Sequence, residues 1–146
     1  MKKVLYFVFL IITIFFITAC YKVKELSKEQ IKDVLVNNKF NVDNLSSKME
    51  DDNIKVVYVA SNGKYSIEYY LFNEEKKAKE AFNGNIKTFN NNKIKGNIVS
   101  KDNYDNYTQE LSDTYNSVTR IGKNLIYASI NIEYKDEFNK ILKKLS

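Results

Sequence analysis

Apolar and polar residues alternate in two runs near the middle of the chain, Ile54 to Ala60 and Tyr65 to Phe72. This spacing predicts two strands, and the Asn62-Gly63 pair between them predicts a hairpin. A two-residue loop at Asn62-Gly63 favours a type I′ turn, in which both loop residues have positive φ. That loop would place Ala60 opposite Tyr65 and gather the apolar residues of both strands on one face.

The second half of the chain predicts four more strands in two hairpins. The first hairpin turns at Asp102-Asn103, and the second turns at either Gly122-Lys123 or Lys123-Asn124. Both choices for the second turn leave the same apolar residues on one face. The four runs are Ile94 to Lys101, Tyr104 to Leu111, Thr114 to Ile121 and Leu125 to Glu133.

Three segments have the apolar spacing of amphipathic helices. The first follows Ser27, which forms a capping-box pattern with Gln30. The second follows Asn73, expected as its N-cap, and the third spans Asp136 to Leu145. The polar stretch Asn37 to Asp52 predicts a loop with a short extended piece near Val42.

These elements predict an α+β fold in a single domain, residues 27–146. Hairpins make strand neighbours antiparallel, and an apolar sheet face requires a helix layer to cover it. We therefore expect an antiparallel sheet of about six strands, with the amphipathic helices packed on one face.

The first twenty residues have the organisation of an export signal. Met1-Lys2-Lys3 is basic, Val4 to Ile17 is apolar apart from Thr13, and small residues precede Cys20, the only cysteine. The run Ile17-Thr18-Ala19-Cys20 resembles the lipobox of a bacterial lipoprotein. The abundance of Lys, Asn, Ile and Tyr, with one arginine and no proline, is similar to proteins of low-GC Gram-positive bacteria.

The lipobox resemblance implies how the chain is processed. The signal, residues 1–19, would be cleaved between Ala19 and Cys20, and a diacylglyceryl group would be attached to the Cys20 thiol. Residues 20–26 would form a lipidated tether, and the domain would be anchored at the extracytoplasmic face of the cell membrane. No cofactor is expected besides this covalent lipid.

Two other interpretations of the N-terminal segment are weaker. A transmembrane helix needs roughly 20 apolar residues, and the stretch Val4 to Ala19 is shorter. A free thiol after an ordinary signal peptide would be exposed to oxidants with no second cysteine to pair with.

The distribution of charge limits the class of partner that the chain is expected to bind. The net charge of +5 is spread over 23 basic and 18 acidic residues, with no long basic block. Together with the export signal, this argues against a nucleic-acid partner.

The chain has no histidine, which excludes His-based catalysis and His metal ligands. Carboxylate chemistry remains open at two acidic clusters, Glu50-Asp51-Asp52 and Asp102 to Asp105, although both fall in expected turns.

Eleven tyrosines raise the question of an aromatic binding site. Tyrosine is favoured in half-buried strands, which is sufficient to explain most of them. On the predicted strand faces, however, Tyr70, Arg120 and Tyr127 lie opposite the core side and form the candidate binding surface.

We therefore expect a non-catalytic envelope lipoprotein that binds another envelope protein or a cell-wall polymer. The alternative is a small carboxylate-based hydrolase that acts on wall polymers.

Overall fold

The computed structural model describes residues 22–90 and 94–146. The signal segment and Cys20 lie outside these ranges. The described part is α+β, with three α-helices: α1 Lys28–Asn37, α2 Glu75–Asn90 and α3 Lys135–Leu145. Seven strands form one sheet: β1 Asn41–Asn44, β2 Ile54–Ser61, β3 Ser66–Phe72, β4 Asn97–Lys101, β5 Tyr104–Glu110, β6 Thr114–Ile121 and β7 Asn124–Asn131.

The sheet is open and antiparallel, with the strand order β1-β2-β3-β7-β6-β5-β4. The six expected strands are all present. The seventh strand, β1, contains the short extended piece predicted near Val42. Val42 pairs with Ala60, and β1 forms the outer edge of the sheet beside β2. Among the described residues, no helix has the length and apolar content needed to cross a membrane.

The loop between β2 and β3 differs from the expected type I′ turn. Ser61 pairs with Ser66, so the loop contains four residues, Asn62 to Tyr65. Gly63 has a φ of +81°, whereas Asn62 does not have positive φ. The Asn62 side chain closes the loop instead, because its Oδ1 accepts the backbone N–H groups of Lys64 and Tyr65 at 3.0 and 3.1 Å. The pairing shifts by two residues, so the side chains from Val56 to Ala60 keep their predicted face. Ile54, predicted on the same face, lies on the opposite face, because the register shifts between Ile54 and Val56.

The other two predicted hairpins have two-residue loops. Lys101 pairs with Tyr104, which confirms the predicted turn at Asp102-Asn103. Ile121 pairs with Asn124, so the β6–β7 loop is Gly122-Lys123, the first of the two alternatives.

Helices cover both faces of the sheet, and the expectation of helices on one face is wrong. Helices α1 and α3 pack on the face that carries Tyr69 and Ile126. Helix α2 packs on the opposite face, against Val118 and Leu125. The reason is that adjacent residues of a strand point to opposite faces, and β7 carries apolar residues at the four consecutive positions 125–128.

The predicted N-cap of α1 is confirmed, whereas the predicted N-cap of α2 is wrong. Ser27 and Gln30 form the predicted capping box: the Gln30 N–H donates to Ser27 Oγ, and the Ser27 N–H donates to Gln30 Oε1. Asn73, expected to cap α2, donates its side-chain amide to the Asp52 carbonyl, and α2 begins two residues later at Glu75.

Residues 22–26, expected as a tether, contact the domain. Val23 and Glu25 form hydrogen bonds with residues of the β4–β5 and β6–β7 turns. The part of the predicted tether that the structure describes therefore belongs to the folded unit.

The positive φ of Gly63 generates a stability prediction. Gly63→Val should lower the free energy of unfolding by about 1–3 kcal/mol, because a β-branched residue is strained at this φ. A Cβ at this position would meet no atom within 4 Å, so the loss would report backbone strain alone. Gly63→Asn is the matched control, since asparagine tolerates this region and should cost less. Urea unfolding measures both, and equal costs would contradict the assignment of strain.

Candidate functional site

The three residues of the predicted binding surface share the sheet face that α2 covers, but they lie in two different environments. Tyr70 and Tyr127 are half-buried and line a groove between α2 and the sheet. Arg120 is only 2% exposed and does not line the groove. The structure therefore keeps the two tyrosines together and removes Arg120 from the surface.

The groove has a volume of about 370 Å³. Strands β2, β3 and β7 contribute most of its lining, and α2 contributes the small Ala81 and the polar Asn85. Asp51 joins them from the loop before β2. The full lining consists of Asp51, Ile54, Glu68, Tyr70, Phe72, Ala81, Asn85, Leu125 and Tyr127.

Glu68 and Tyr70 form a hydrogen-bonded pair in this groove. They are two residues apart on β3 and therefore share a face. The Tyr70 hydroxyl donates to Glu68 Oε2 at 2.5 Å. Burial raises the pKa of Tyr70, and the Glu68 carboxylate raises it further. The Tyr70 phenol thus stays protonated at neutral pH and holds the carboxylate in place.

Tyr127 lies next to the Glu68–Tyr70 pair, on the neighbouring strand β7. Its backbone position is directly opposite Glu68 in the β3–β7 ladder. The Tyr127 ring stacks on Phe89 of α2, with a centroid distance of 5.8 Å and an interplanar angle of 8°. Burial raises the pKa of Tyr127, as does the nearby charge of Glu68. Helix α2 therefore fixes the orientation of one aromatic wall of the groove.

Asp51 brings a second carboxylate to the groove. Its Oδ1 accepts the backbone N–H of Asn53 at 2.9 Å and the Asn53 side-chain amide at 2.7 Å. These hydrogen bonds lower the pKa of Asp51, so it is ionised at neutral pH. The lining contains no lysine or arginine. The groove therefore suits a ligand that offers hydrogen-bond donors or positive charge.

Arg120 has a structural role, which corrects its assignment to the binding surface. Its Nε donates to Asp105 Oδ2 at 2.5 Å, and Asp105 is also only 2% exposed. Its Nη1 donates to the Gly122 carbonyl at 3.1 Å, and its Nη2 donates to the Asp102 carbonyl at 3.4 Å. The guanidinium thereby joins β5, β6 and the two adjacent turns, and none of this group is free for a ligand.

The acidic clusters also separate into distinct roles. Asp105 belongs to the buried ion pair, whereas Asp102 is exposed in a turn. Asp51 faces the groove, while the neighbouring Asp52 contributes its backbone carbonyl to Asn73. Within the two described ranges, no three His, Cys, Asp or Glu residues come together as a metal-binding group.

Sequence reasoning did not identify Glu68, Asn85 or Phe89 as site residues. A signal for Glu68 existed, because its place two residues before Tyr70 puts both on one strand face. The contributions of Asn85 and Phe89 depend on α2 crossing this face of the sheet. The sequence of α2 itself does not indicate that crossing.

Comparison of the chain with models of known protein families, with curated proteins and with solved structures found no match.

The buried ion pair generates a second stability prediction. Arg120→Ala should lower the free energy of unfolding by about 3–5 kcal/mol, because it leaves the Asp105 carboxylate buried without its partner. Glu110→Ala is the control, since it removes the largely exposed ion pair with Lys135 and should cost at most about 1 kcal/mol. Chemical denaturation compares the two variants, and similar costs would refute the structural role of Arg120.

Proposed function

We propose that this protein is a cell-envelope lipoprotein, anchored through Cys20 at the extracytoplasmic face of the cell membrane, whose α2 groove binds an envelope ligand without catalysis. The observation that carries the binding role is the Glu68 carboxylate, which accepts the Tyr70 hydroxyl in a groove that Tyr127, the cross-strand partner of Glu68, also lines. The lipobox resemblance of residues 17–20 supports the anchor.

The anchor proposal has a physical basis in the number of acyl chains. One chain gives marginal and reversible membrane binding, whereas two chains give stable attachment. A diacylglyceryl group on Cys20 supplies two chains from a single residue. This chemistry also accounts for a lone cysteine directly after the small residues of an export signal.

The groove favours a sugar-containing wall polymer as the ligand. Aromatic rings offer apolar surface for the faces of sugar rings, and carboxylates accept hydrogen bonds from sugar hydroxyl and amide groups. Tyr70 and Tyr127 supply the aromatic surface, and Glu68 and Asp51 supply the acceptors. Ligand sites in proteins typically combine an apolar lining with a few fixed polar groups in this way.

A carboxylate-based hydrolase is the second candidate, because Asp51 and Glu68 line the same groove. Glycoside hydrolysis requires one carboxylic acid that is protonated and donates to the leaving oxygen, with its pKa raised by its surroundings. The pKa of Asp51 is instead lowered, and Glu68 already accepts the Tyr70 hydroxyl. These features favour binding over hydrolysis.

The anchor is tested by metabolic labelling with radioactive palmitate in a bacterial host. The wild-type chain should incorporate the label, and Cys20→Ala should not, because it lacks the thiol that accepts the lipid. Tyr21→Ala keeps that thiol and should be labelled like the wild type. Equal labelling of wild type and Cys20→Ala would refute the anchor.

The groove is tested by titrating the protein with the tetramer of N-acetylglucosamine, a model of wall glycan. Chemical-shift changes in NMR spectra should centre on the groove residues. Glu68→Gln should weaken binding by about tenfold, which corresponds to about 1.4 kcal/mol for a lost charge-assisted hydrogen bond. Glu110→Gln, a carboxylate change outside the groove, should leave binding unchanged.

Three outcomes of this titration are informative. Shift changes confined to surfaces away from the groove would argue against the site, and the absence of changes would argue against a glycan ligand. Cleavage of the tetramer, followed by chromatography of the products, would favour the hydrolase.

A further inference from the structure

The described residues that follow Cys20 are hydrogen-bonded to one end of the sheet. The Val23 N–H donates to Asn103 Oδ1 at 3.1 Å, and the Asn103 side-chain amide donates back to the Val23 carbonyl at 2.8 Å. Asn103 lies in the β4–β5 turn. This reciprocal pair attaches the segment to a fixed point of the fold.

Glu25 makes a second attachment at the β6–β7 turn. Its Oε1 accepts the Lys123 N–H at 2.9 Å and the Asn124 side-chain amide at 3.1 Å. The carboxylate lies directly against Gly122, where a Cβ atom would collide with it. The same Asn124 amide also reaches the Leu26 carbonyl at 3.3 Å. Residues 23–26 are thus held across both turns.

The covalent chain limits how far the lipid can lie from this attachment. Cys20 is three residues before Val23. Three extended residues span at most about 11 Å. A diacylglyceryl group on Cys20 would therefore keep the two turns close to the lipid headgroups, and the domain could not move far from the bilayer.

The charge around the two turns suits an anionic membrane. Five charged residues are exposed there: Lys22, Lys24, Lys101, Lys123 and Asp102. Glu25 is exposed as well, but its carboxylate accepts the hydrogen bonds of the β6–β7 turn. Each lysine that reaches an anionic bilayer contributes about 1 kcal/mol of attraction. We call these five residues the turn surface.

The neighbouring part of the same sheet end has the opposite charge. Beyond β3, whose Phe72 N–H donates to the Lys123 carbonyl, acidic residues outnumber basic ones. Five acids are exposed there, Glu50, Asp51, Asp52, Glu74 and Glu75, against the two exposed lysines Lys55 and Lys76. This contrast favours contact of the lysine side, rather than the whole end of the sheet, with anionic lipid.

We propose that the turn surface is a membrane-docking face that holds the domain in one orientation on an anionic lipid bilayer. This proposal rests on the proposed lipidation of Cys20. The opposite end of the sheet points away from the membrane. The β5–β6 connection at Ser112 lies at that end, separated from the turn surface by the seven residues of β5, or about 24 Å.

The orientation is tested with the full lipidated protein in vesicles of equimolar phosphatidylglycerol and phosphatidylcholine. Lipidation blocks the Cys20 thiol, so an introduced cysteine is the only free thiol in the chain. A fluorophore is attached at Asp102→Cys on the turn surface, or at Ser112→Cys on the opposite end. A lipid with a nitroxide on its headgroup then quenches fluorophores that lie near the bilayer. We expect loss of most of the fluorescence at position 102 and little loss at position 112.

The matched control is an insertion of about ten Gly and Ser residues between Tyr21 and Lys22. This linker keeps the bonds of Val23 and Glu25 to the turns, but it adds a mean span of about 17 Å between lipid and domain. Quenching at position 102 should therefore fall toward the value at position 112.

Flotation with the vesicles separates the two proposals. A protein that does not float lacks the anchor, which overturns both the lipidation and the docking face. A protein that floats but shows equal quenching at positions 102 and 112 keeps the anchor and overturns the docking face.

Discussion

Burial of both faces of the central strands is the constraint on which this structure depends. In β7, side chains that point to opposite faces are apolar at neighbouring positions, such as Leu125 and Ile126. The adjacent strand β6 is buried at every position from Tyr115 to Ile121. Neither face can be left to water without a loss of roughly 25 cal/mol for each Å² of apolar surface. Helices α1 and α3 cover one face, and α2 must cross to cover the other. The edge strands β1 and β4, which carry exposed residues, need no such cover.

The groove is a consequence of this second layer. Helix α2 packs closely where Phe82 and Phe89 meet the sheet, while the small Ala81 leaves space over β3 and β7. Polar groups at the edge of that space are arranged by the ladder itself, since Glu68 and Tyr127 are cross-strand partners. Packing on this face therefore explains both the stability of the domain and the position of its candidate site.

The sequence patterns predicted the local elements well and the long-range arrangement less well. The capping box at Ser27 and the turn at Asp102-Asn103 involve neighbouring residues, whose chemistry is visible in the sequence. The loop after Ser61 was predicted with the wrong length. There the Tyr65 N–H donates to the Asn62 side chain, and the Tyr65 ring contacts Phe40 and Tyr134, which are distant in sequence. Arg120 was misassigned for a similar reason, since its partner Asp105 is apparent only when the register of β5 and β6 is known.

Residues 22–26 connect the two proposed roles of the protein, membrane docking and ligand binding. Its contact with the β6–β7 turn lies beside Leu125 and Phe72, which line the groove near the same end of the sheet. A domain held by that turn surface would present its groove at a nearly constant distance from the headgroups. Such a position restricts the accessible ligands to those near the membrane, and it removes much of the rotational freedom that a freely tethered domain loses on binding. The hydrogen bonds of Val23 and Glu25 would then contribute to ligand affinity without contacting the ligand.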